Sequence, residues 1–192
     1  CLIKGSTILP QPVFDAAAVL ARIPTDQVSV LPGPPALYQT ILAKDWQSAD
    51  LSSLRLAVTG AATIPVQLIH DMRDKLGFKT VITGYGLTEA TGVATMCRHD
   101  DDPETIATTS GRALEGMQIK LVDADGSEVP RDAPGHVLVR GYNVMKGYLD
   151  DPEETAATVI DGWLHTGDIG IMNARGYLRI TDRLKDMFIV GG

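Results

Sequence analysis

The segment TGYGLTEAT, residues 83–91, contains the side chains of this sequence that are best suited to binding a nucleotide. The β-branched residues before it predict a buried strand, and the glycines that flank Tyr85 predict a tight loop at the strand's end. Glycines allow a backbone to approach a ligand closely, and the tyrosine ring offers a flat face to a base. Thr88 and Glu89 supply hard oxygen atoms, which suit phosphate and magnesium. Taken alone, the segment could equally be a strand-to-helix turn around a buried tyrosine.

Alternating strands and helices are predicted up to residue 100. Proline or aspartate marks the start of each helix, and β-branched runs mark the strands. The helices are predicted to begin at Asp15, Pro34 and Pro65, and the strands to cover residues 28–31, 54–59 and 78–82. This alternation indicates an α/β fold with a mostly parallel sheet, whose ligand crevice lies beyond the carboxyl ends of the strands. A GAA sequence at residues 60–62 follows one of those ends, as the Tyr85 loop follows another.

The chain becomes rich in predicted β-strands after Arg98, where the acidic run at residues 100–102 predicts a solvated loop. Beyond it, turn signals such as Asp125-Gly126 separate short apolar or alternating runs. A small antiparallel β-barrel or sandwich is therefore predicted, interrupted by one short helix at residues 152–160. The expected divisions are an αβ subdomain at residues 1–100, the β-barrel subdomain at residues 101–182, and at residues 183–192 the hinge to a further, C-terminal domain.

Composition and charge exclude several classes of protein. The 192 residues are 44% hydrophobic, and 17 basic against 24 acidic residues give a formal charge of −7. That balance provides no basic stripe for nucleic acid or for an anionic membrane. The two cysteines form neither a CxxC motif nor a cluster with histidine, so a disulfide framework and a structural zinc site are not indicated. This cysteine usage predicts a reducing, cytoplasmic setting. No apolar stretch reaches membrane-spanning length, so no transmembrane segment is predicted.

Four motifs in this order resemble the adenylate-forming superfamily, and within it the acyl-CoA synthetases of the fatty-acid:CoA ligase type. The motifs are GAA at residues 60–62, TGYGLTEAT, WLHTGD at residues 163–168, and TDRLKD at residues 181–186 with two glycines at residues 191–192. The resemblance covers nearly the whole chain. It implies an AMP-forming acid–thiol ligase of fatty acid metabolism that uses ATP, Mg²⁺ and coenzyme A.

The resemblance also implies a role for each motif residue. Tyr85 would pack on adenine, Thr88 would hydrogen-bond the α-phosphate, and Glu89 would hold Mg²⁺. Asp168 would accept both ribose hydroxyls, since its two oxygens span a diol, and Arg183 would reach the ribose or the phosphate. The implied ATP- or AMP-binding set is Gly60, Ala61, Ala62, Gly84, Tyr85, Gly86, Leu87, Thr88, Asp168 and Arg183, with Thr88 and Glu89 as the catalytic pair.

A moving junction near the last residues is a further implication of the resemblance. Lys185 would be the hinge about which a small C-terminal domain rotates between adenylation and thioester formation. Gly191 and Gly192 would begin a loop that lies along the pantetheine arm of coenzyme A. On residue types alone, Asp168 could instead cap a turn, and Arg183 with Lys185 could be a solvated charged pair.

The implied reaction is attack of a carboxylate on the α-phosphate of ATP, which releases pyrophosphate and leaves an acyl-adenylate that a thiol then opens. Catalysis would rest on positioning and charge neutralisation. Position along the chain suggests Val58, Thr59, Gly86 and Leu87 for the acyl pocket, but the acid itself cannot be read from the sequence. The expected partners are a small-molecule carboxylic acid, ATP and coenzyme A, and a homo-oligomer is left open.

Three other interpretations share these motifs. An amino-acid adenylation domain would load a carrier protein, but such domains usually carry asparagine and proline around the tyrosine-glycine core. Oxidation of the luciferase type uses the same adenylate, and a non-catalytic nucleotide-binding domain would share the fold.

The chain is expected to be a central fragment, with a glycine-rich phosphate loop upstream of Cys1 and a catalytic lysine downstream of Gly192. Residues 1–192 alone are therefore predicted to be inactive.

Overall fold

The structure is a computed structural model that describes residues 2–60 and 64–183. In these residues two β-sheets follow one another along the chain. The first contains β1 (Val30–Pro32), β2 (Leu56–Gly60), β3 (Thr80–Tyr85), β4 (Thr95–Met96) and β5 (Arg112–Ala113). The second contains β6 (Met117–Val122), β7 (Pro134–Gly141), β8 (Val159–Ile160), β9 (Trp163–Met172) and β10 (Leu178–Arg183). An α/β half followed by a β-rich half was predicted, and that order is confirmed.

Most helices pack beside the first sheet. They are α1 (Ala16–Asp26), α2 (Pro35–Leu42), α3 (Val66–Asp74) and α4 (Pro103–Thr108), while α5 (Pro152–Thr158) lies between β7 and β8; short 3-10 turns occur at Leu2–Lys4, Trp46–Ser48 and Thr88–Ala90. The predicted cap of α1 is present, since Asp15 accepts a 2.7 Å hydrogen bond from the Ala18 amide. None of the described helices has the length and apolar character needed to cross a membrane.

The acidic run at residues 100–102 lies in a loop, as predicted, but it leads into helix α4, which the sequence analysis did not predict. Asp102 caps this helix by accepting a 2.8 Å hydrogen bond from the amide of Thr105. Asp101 accepts a 2.7 Å bond from the amide of Arg98 and a 2.5 Å bond from the hydroxyl of Tyr177. The run therefore starts a helix and ties it to the second sheet.

Strand β3 is longer than the sequence predicted, and the sheet around it is mixed. β1, β2 and β3 are parallel, whereas β4 and β5 are antiparallel to their neighbours. β3 continues past residue 82 because it is paired on both sides: Gly84 lies opposite Gly60 of β2, and Tyr85 lies opposite Thr95 of β4. Tyr85, which was predicted to lie in a loop, is therefore the last residue of a central strand.

The second sheet is antiparallel, as predicted, but the described strands do not close into the predicted β-barrel. Its order is β10-β9-β7-β6, with β8 paired to β9, so β6 and β10 lie at opposite edges with no pairing found between them. β9 is one ten-residue strand that carries the whole WLHTGD motif. The division at residue 100 stays a prediction, and the first sheet includes Arg112–Ala113 beyond it.

The buried apolar side chains of the described residues form two hydrophobic cores. The first is formed by helices α1 to α4 with β2 and β3, and includes the fully buried side chains of Ile23, Tyr38, Ile69, Met72 and Phe78. The second contains Ala90, Ala94, Leu121, Val137, Leu164 and Leu178. Because Tyr85 and Leu87 pack against the second core, the strand end of the first sheet is fixed by contacts with the second.

A backbone joint connects the two sheets directly. The Ser110 amide donates a 2.7 Å hydrogen bond to the carbonyl of Leu178 in β10, and the Leu178 amide donates a 2.9 Å bond to the carbonyl of Gly111. Gly111 has a φ of 81°, and a Cβ atom there would lie 1.9 Å from the carbonyl carbon of Met96. Only glycine fits this position, because the left-handed conformation and the close backbone both exclude a side chain.

Candidate functional site

The carboxyl ends of β2 and β3 lie side by side, with Gly60 paired to Gly84. Neither Gly84 nor Gly86 has room for a side chain. A Cβ atom on Gly84 would lie 2.7 Å from the carbonyl oxygen of Thr95. One on Gly86 would lie 2.3 Å from the carbonyl oxygen of Gly92. The two glycines that were predicted to approach a ligand are thus already required by the close packing of the chain on itself.

Tyr85 connects the first sheet to the second through its hydroxyl group. That hydroxyl donates a 2.5 Å hydrogen bond to Oδ2 of Asp168 in β9. Burial, and after it the Asp168 carboxylate, raises the pKa of Tyr85 above its ordinary value, so the group remains a donor at neutral pH. The predicted stacking on adenine would use the face of the Tyr85 ring. The hydroxyl has a different role, because it orients the carboxylate of Asp168, which is 83 positions away along the chain.

Asp168 is 8% exposed and is held on several sides. Its Oδ1 lies 3.4 Å from Nε of Arg183, the residue opposite it on β10. Its amide donates a 3.1 Å hydrogen bond to Oγ1 of Thr166, whose hydroxyl donates in turn to the carbonyl of Val137 at 2.8 Å. The structure therefore brings three predicted site residues, Tyr85, Asp168 and Arg183, into one contiguous group.

Thr88 and Glu89 lie on the 3-10 turn Thr88–Ala90, which follows β3 directly. The Thr88 side chain is exposed, and that of Glu89 is half-buried. The hydroxyl of Tyr148 donates a 2.9 Å hydrogen bond to Oε1 of Glu89. Oε2 makes no hydrogen bond to any described residue, so one carboxylate oxygen is fixed and the other can coordinate a cation.

Residues 143–148, which we call the strap, lie across the turn that carries Glu89. In addition to the Tyr148 bond, three hydrogen bonds hold the strap: Met145 N to Glu89 O at 2.7 Å, Thr91 Oγ1 to Asn143 O at 2.7 Å, and Asn143 Nδ2 to Val93 O at 2.6 Å. Sequence reasoning missed Tyr148. A signal was present, because Gly147 precedes Tyr148 just as Gly84 precedes Tyr85, but a glycine-tyrosine pair says nothing about its distant partner.

Val58 and Thr59, two of the four residues predicted for the acyl pocket, lie on opposite faces of the first sheet. Val58 and Thr59 are neighbours on β2, and successive strand residues point to opposite faces of a sheet. Thr59 is buried on the same face as Ala57 of the first core, whereas Val58 is half-buried on the other face. Leu87 packs against the second core. A single pocket at this edge can therefore use Val58 or Thr59, and the composition of the acyl pocket stays a prediction.

Several predicted site residues lie outside the described residues. They are Ala61, Ala62, Lys185, Gly191 and Gly192. The ATP-binding role of Ala61 and Ala62, the hinge and the coenzyme A loop therefore remain predictions. Within residues 2–60 and 64–183, no group of three or more His, Cys, Asp or Glu side chains that could hold a metal ion is found.

The AMP-binding enzyme family matches residues 1–149 of the sequence. This chain belongs to that family. The match confirms the superfamily indicated by the motifs, and it includes the strand-end glycines, Tyr85, Glu89 and Tyr148. Asp168 and Arg183 lie beyond the matched residues, so their link to the site comes from the contacts with Tyr85 and with each other.

The relatives that this chain matches include CoA ligases and synthases. The 3-[(3aS,4S,7aS)-7a-methyl-1,5-dioxo-octahydro-1H-inden-4-yl]propanoyl:CoA ligase of Rhodococcus jostii is 54% identical over 194 residues, which cover all of this chain and 36% of that protein. A feruloyl-CoA synthase of an Amycolatopsis species is 39% identical over 193 residues, covering all of this chain and 38% of that protein. The chain thus spans little more than a third of the length of the curated relatives it matches.

Solved structures show the same fold. A Mycobacterium tuberculosis fatty acyl CoA synthetase superimposes with a TM-score of 0.85 at 33% identity, covering 95% of this chain and 36% of that one. The O-succinylbenzoate coenzyme A synthetase of Bacillus subtilis, in complex with ATP and magnesium ion, gives a TM-score of 0.79 at 28% identity, covering 93% and 36%. The mixed sheet followed by an antiparallel sheet is therefore the arrangement found in adenylate-forming enzymes.

Proposed function

We propose that the protein containing this chain is an ATP-dependent carboxylic acid:CoA ligase. It forms an acyl-adenylate with release of pyrophosphate, and then an acyl-CoA thioester. The observation that carries this proposal is the grouping of Tyr85, Asp168 and Glu89 around one strand end in a chain of the AMP-binding enzyme family. The names of the relatives, which are CoA ligases and synthases, support the same reaction.

The nucleotide would bind across the carboxyl ends of β2 and β3. In this proposal adenine rests on the ring of Tyr85, and the ribose hydroxyls donate to Asp168. An ionised carboxylate has about four lone-pair sites, so Asp168 can accept from a diol while it keeps its hydrogen bond from Tyr85. Because Asp168 is 8% exposed, hydrogen bonds to it are less weakened by solvent than they would be at the surface. Arg183, which is exposed, has the freedom to turn from Asp168 to a phosphate.

Glu89 is suited to a magnesium ion that arrives with ATP. Mg²⁺ usually keeps several waters and takes one or two carboxylates together with substrate phosphates, rather than a cage made only of protein. The half-buried Glu89 has a carboxylate oxygen without a protein partner among the described residues, and the exposed residue Thr88 precedes it in the chain. When bound there, the ion would neutralise phosphate charge during attack by the acid. Thr88 would donate a hydrogen bond to the α-phosphate.

The acid is proposed to carry a ring system on its acyl chain. The printed name of the Rhodococcus relative describes a propanoyl group on a fused bicycle, and that of the Amycolatopsis relative describes a feruloyl group. Both acyl groups place the carboxyl carbon on a short chain outside a ring. The higher identity to the first favours an alicyclic over an aromatic acid.

A pyrophosphate-release assay on the full-length protein tests this function. With ATP and Mg²⁺, release should require an acid, be greatest for alicyclic propanoates among a panel of short, long, aromatic and polycyclic acids, and yield a thioester when coenzyme A is added. Release with amino acids and no thioester would indicate the amino-acid adenylation alternative. No release with any acid would remove the ligase assignment and leave a nucleotide-binding domain. Residues 1–192 alone should give no product.

The proposal includes a cytoplasmic location, where ATP and coenzyme A are both available. Cell fractionation of the producing organism would test it. Recovery of the protein in a secreted fraction would contradict this part of the proposal without affecting the reaction.

A further inference from the structure

Tyr148 belongs to the strap and reaches the turn that carries Glu89 from the other half of the chain. Its hydroxyl bonds to Glu89 Oε1 at 2.9 Å, although the two residues are 59 positions apart. The same turn is held at its backbone, because the Met145 amide donates to the Glu89 carbonyl at 2.7 Å. Both the side chain and the main chain of Glu89 are therefore oriented by the strap.

We propose that Tyr148 is a positioning residue, which orients the Glu89 carboxylate for the magnesium ion that accompanies ATP. This inference rests on the proposed function and extends it to a residue outside the four motifs. A hydrogen bond to one carboxylate oxygen leaves the other oxygen free to coordinate, and fixes its direction. Outer-shell partners of this kind typically contribute about 10- to 100-fold to metal affinity or activity.

The backbone around Tyr148 is itself fixed, so its hydroxyl has a defined place. The Tyr148 amide donates a 2.9 Å hydrogen bond to Oγ1 of Thr155 in α5. Thr155 donates in turn to the carbonyl of Asp151 at 2.7 Å, at the start of the same helix. Gly147 has a φ of 154°, and a Cβ atom there would lie 2.8 Å from Cγ2 of Thr155. The strap thus passes so close to α5 that only glycine fits before the tyrosine.

The chemistry of the pair agrees with a donor role. A phenol hydroxyl can donate and an ionised carboxylate can only accept, so the 2.9 Å hydrogen bond runs from Tyr148 to Glu89. Tyr148 is 36% exposed, which is more than a purely structural core tyrosine would be. A hydroxyl on a partly exposed tyrosine that bonds to a carboxylate beside the proposed phosphate site is suited to orienting that carboxylate.

Tyr148→Phe in the full-length protein tests the inference, with Tyr142→Phe as a matched control. Tyr142 precedes the strap, is 76% exposed, and makes no side-chain hydrogen bond to a described residue. Calorimetric titration of ATP at increasing Mg²⁺, without any acid, measures binding independently of turnover. Tyr148→Phe should raise the half-saturating Mg²⁺ concentration about tenfold, at the lower end of the range for such partners because the hydroxyl is partly exposed. Tyr142→Phe should match wild type.

A double-mutant cycle with Glu89→Gln separates positioning from simple structural support. If Tyr148 acts through Glu89, removing its hydroxyl should have no further effect on Mg²⁺ dependence once the carboxylate is gone. The inference is overturned if the two substitutions weaken the Mg²⁺ dependence additively, or if Tyr148→Phe leaves that dependence unchanged. In either case, Mg²⁺-dependent ATP binding by wild type would still support the proposed function. Failure of wild type to bind ATP in a Mg²⁺-dependent way overturns both. Circular dichroism of each variant confirms that the fold is retained.

Discussion

The two ends of the candidate site are built differently. At one end, Tyr85 and Asp168 lie on strands of two sheets, and their side chains meet at 2.5 Å with Asp168 buried. At the other end, Glu89 lies on a single 3-10 turn and meets the partly exposed Tyr148 of the strap at 2.9 Å. The first contact is supported by paired strands and two cores, whereas the second depends on a few polar bonds between loops.

This difference matches the demands of the proposed reaction. Adenine and ribose do not change during adenylation, so their binding groups gain from rigid strands. The phosphate end must hold ATP, lose pyrophosphate and then hold the adenylate, so a turn and a strap can adjust there. Groups on loops positioned by a rigid scaffold are a common arrangement at sites of chemistry.

Asp168→Asn should have the largest effect on the rigid end. It removes the charge that the ribose hydroxyls are proposed to face, and hydrogen bonds to charged groups contribute about 1.5–3 kcal/mol. ATP affinity measured by calorimetry should therefore fall about 100-fold, since 1.4 kcal/mol corresponds to a factor of about ten. Asp161→Asn, at an exposed turn, is the control. If Asp168→Asn bound ATP with wild-type affinity, the Asp168 carboxylate would only hold the two sheets together and would not bind the ribose.

Gly86→Ala tests the loop between the two ends. The added Cβ would meet the backbone of Gly92 and Val93, which cannot move aside as a flexible side chain can. A loss of about 2 kcal/mol in the free energy of unfolding is expected from such overpacking. Gly92→Ala has nothing within 4 Å of the new Cβ but a φ of 86°, so it should cost about 1 kcal/mol from backbone strain alone. Denaturant unfolding measures the free energy of unfolding of both variants. Equal losses would mean that the loop backbone moves to accommodate the new Cβ at residue 86.

The two tyrosines should respond differently to loss of their carboxylate partners. Burial is the larger cause of the raised pKa of Tyr85, whereas the Glu89 hydrogen bond is the larger cause for Tyr148. Asp168→Asn should therefore leave the pKa of Tyr85 raised, while Glu89→Gln should return that of Tyr148 towards its ordinary value of about 10. Titration of ¹³C-labelled tyrosine by NMR measures both. If Asp168→Asn returned the pKa of Tyr85 fully to its ordinary value, burial would not be the larger cause of its shift.

The sign of the associated pH effect follows from these directions. A tyrosine whose folded-state pKa is raised stabilises the fold fully below about pH 10, the ordinary tyrosine value, and loses that contribution as the pH rises through the folded-state value. The Tyr85→Phe variant should therefore lose less stability than wild type as the pH becomes strongly alkaline. Unfolding curves of wild type and variant between neutral and strongly alkaline pH would show this difference.

Arg183→Gln should have the smallest effect on stability. Its Nε is 3.4 Å from Asp168 Oδ1, but the arginine side chain is 58% exposed. Exposed ion pairs contribute about 0.2–1 kcal/mol and are weakened by salt. The free energy of unfolding, measured with denaturant, should fall by less than about 1 kcal/mol at low salt, and the fall should be smaller still at high salt. A shift of several kcal/mol would place Arg183 with the rigid end as a structural residue.

Local signals were sufficient for much of the fold. Asp15 starts α1 and Pro35 lies in the first turn of α2, because caps and first-turn prolines act within a few residues. The start of α4 carried the same signal, aspartate followed by proline, yet the run of three aspartates suggested a loop. The loop is present, but the helix that follows it was missed, although Asp102 and Pro103 are a normal cap and first residue.

The contacts that define the site could not be found in the same way. Tyr85 meets Asp168 across 83 positions, and Glu89 meets Tyr148 across 59. Residue types made Asp168 a candidate only through a family resemblance, and nothing in the sequence paired Tyr148 with Glu89. Strand β3 reached Tyr85 because β2 and β4 flank it, and a strand's partners are fixed by tertiary packing rather than by its own residues.

The joint at Gly111 has a consequence for how the molecule opens. The amides of Ser110 and Leu178 are each bonded across the boundary between the sheets, so neither can exchange its hydrogen with solvent until the boundary itself separates. In native-state deuterium exchange the two amides should lose protection together, at the free energy of the larger opening. The two sheets would then melt as one cooperative unit, and a protease would find no early cut between them.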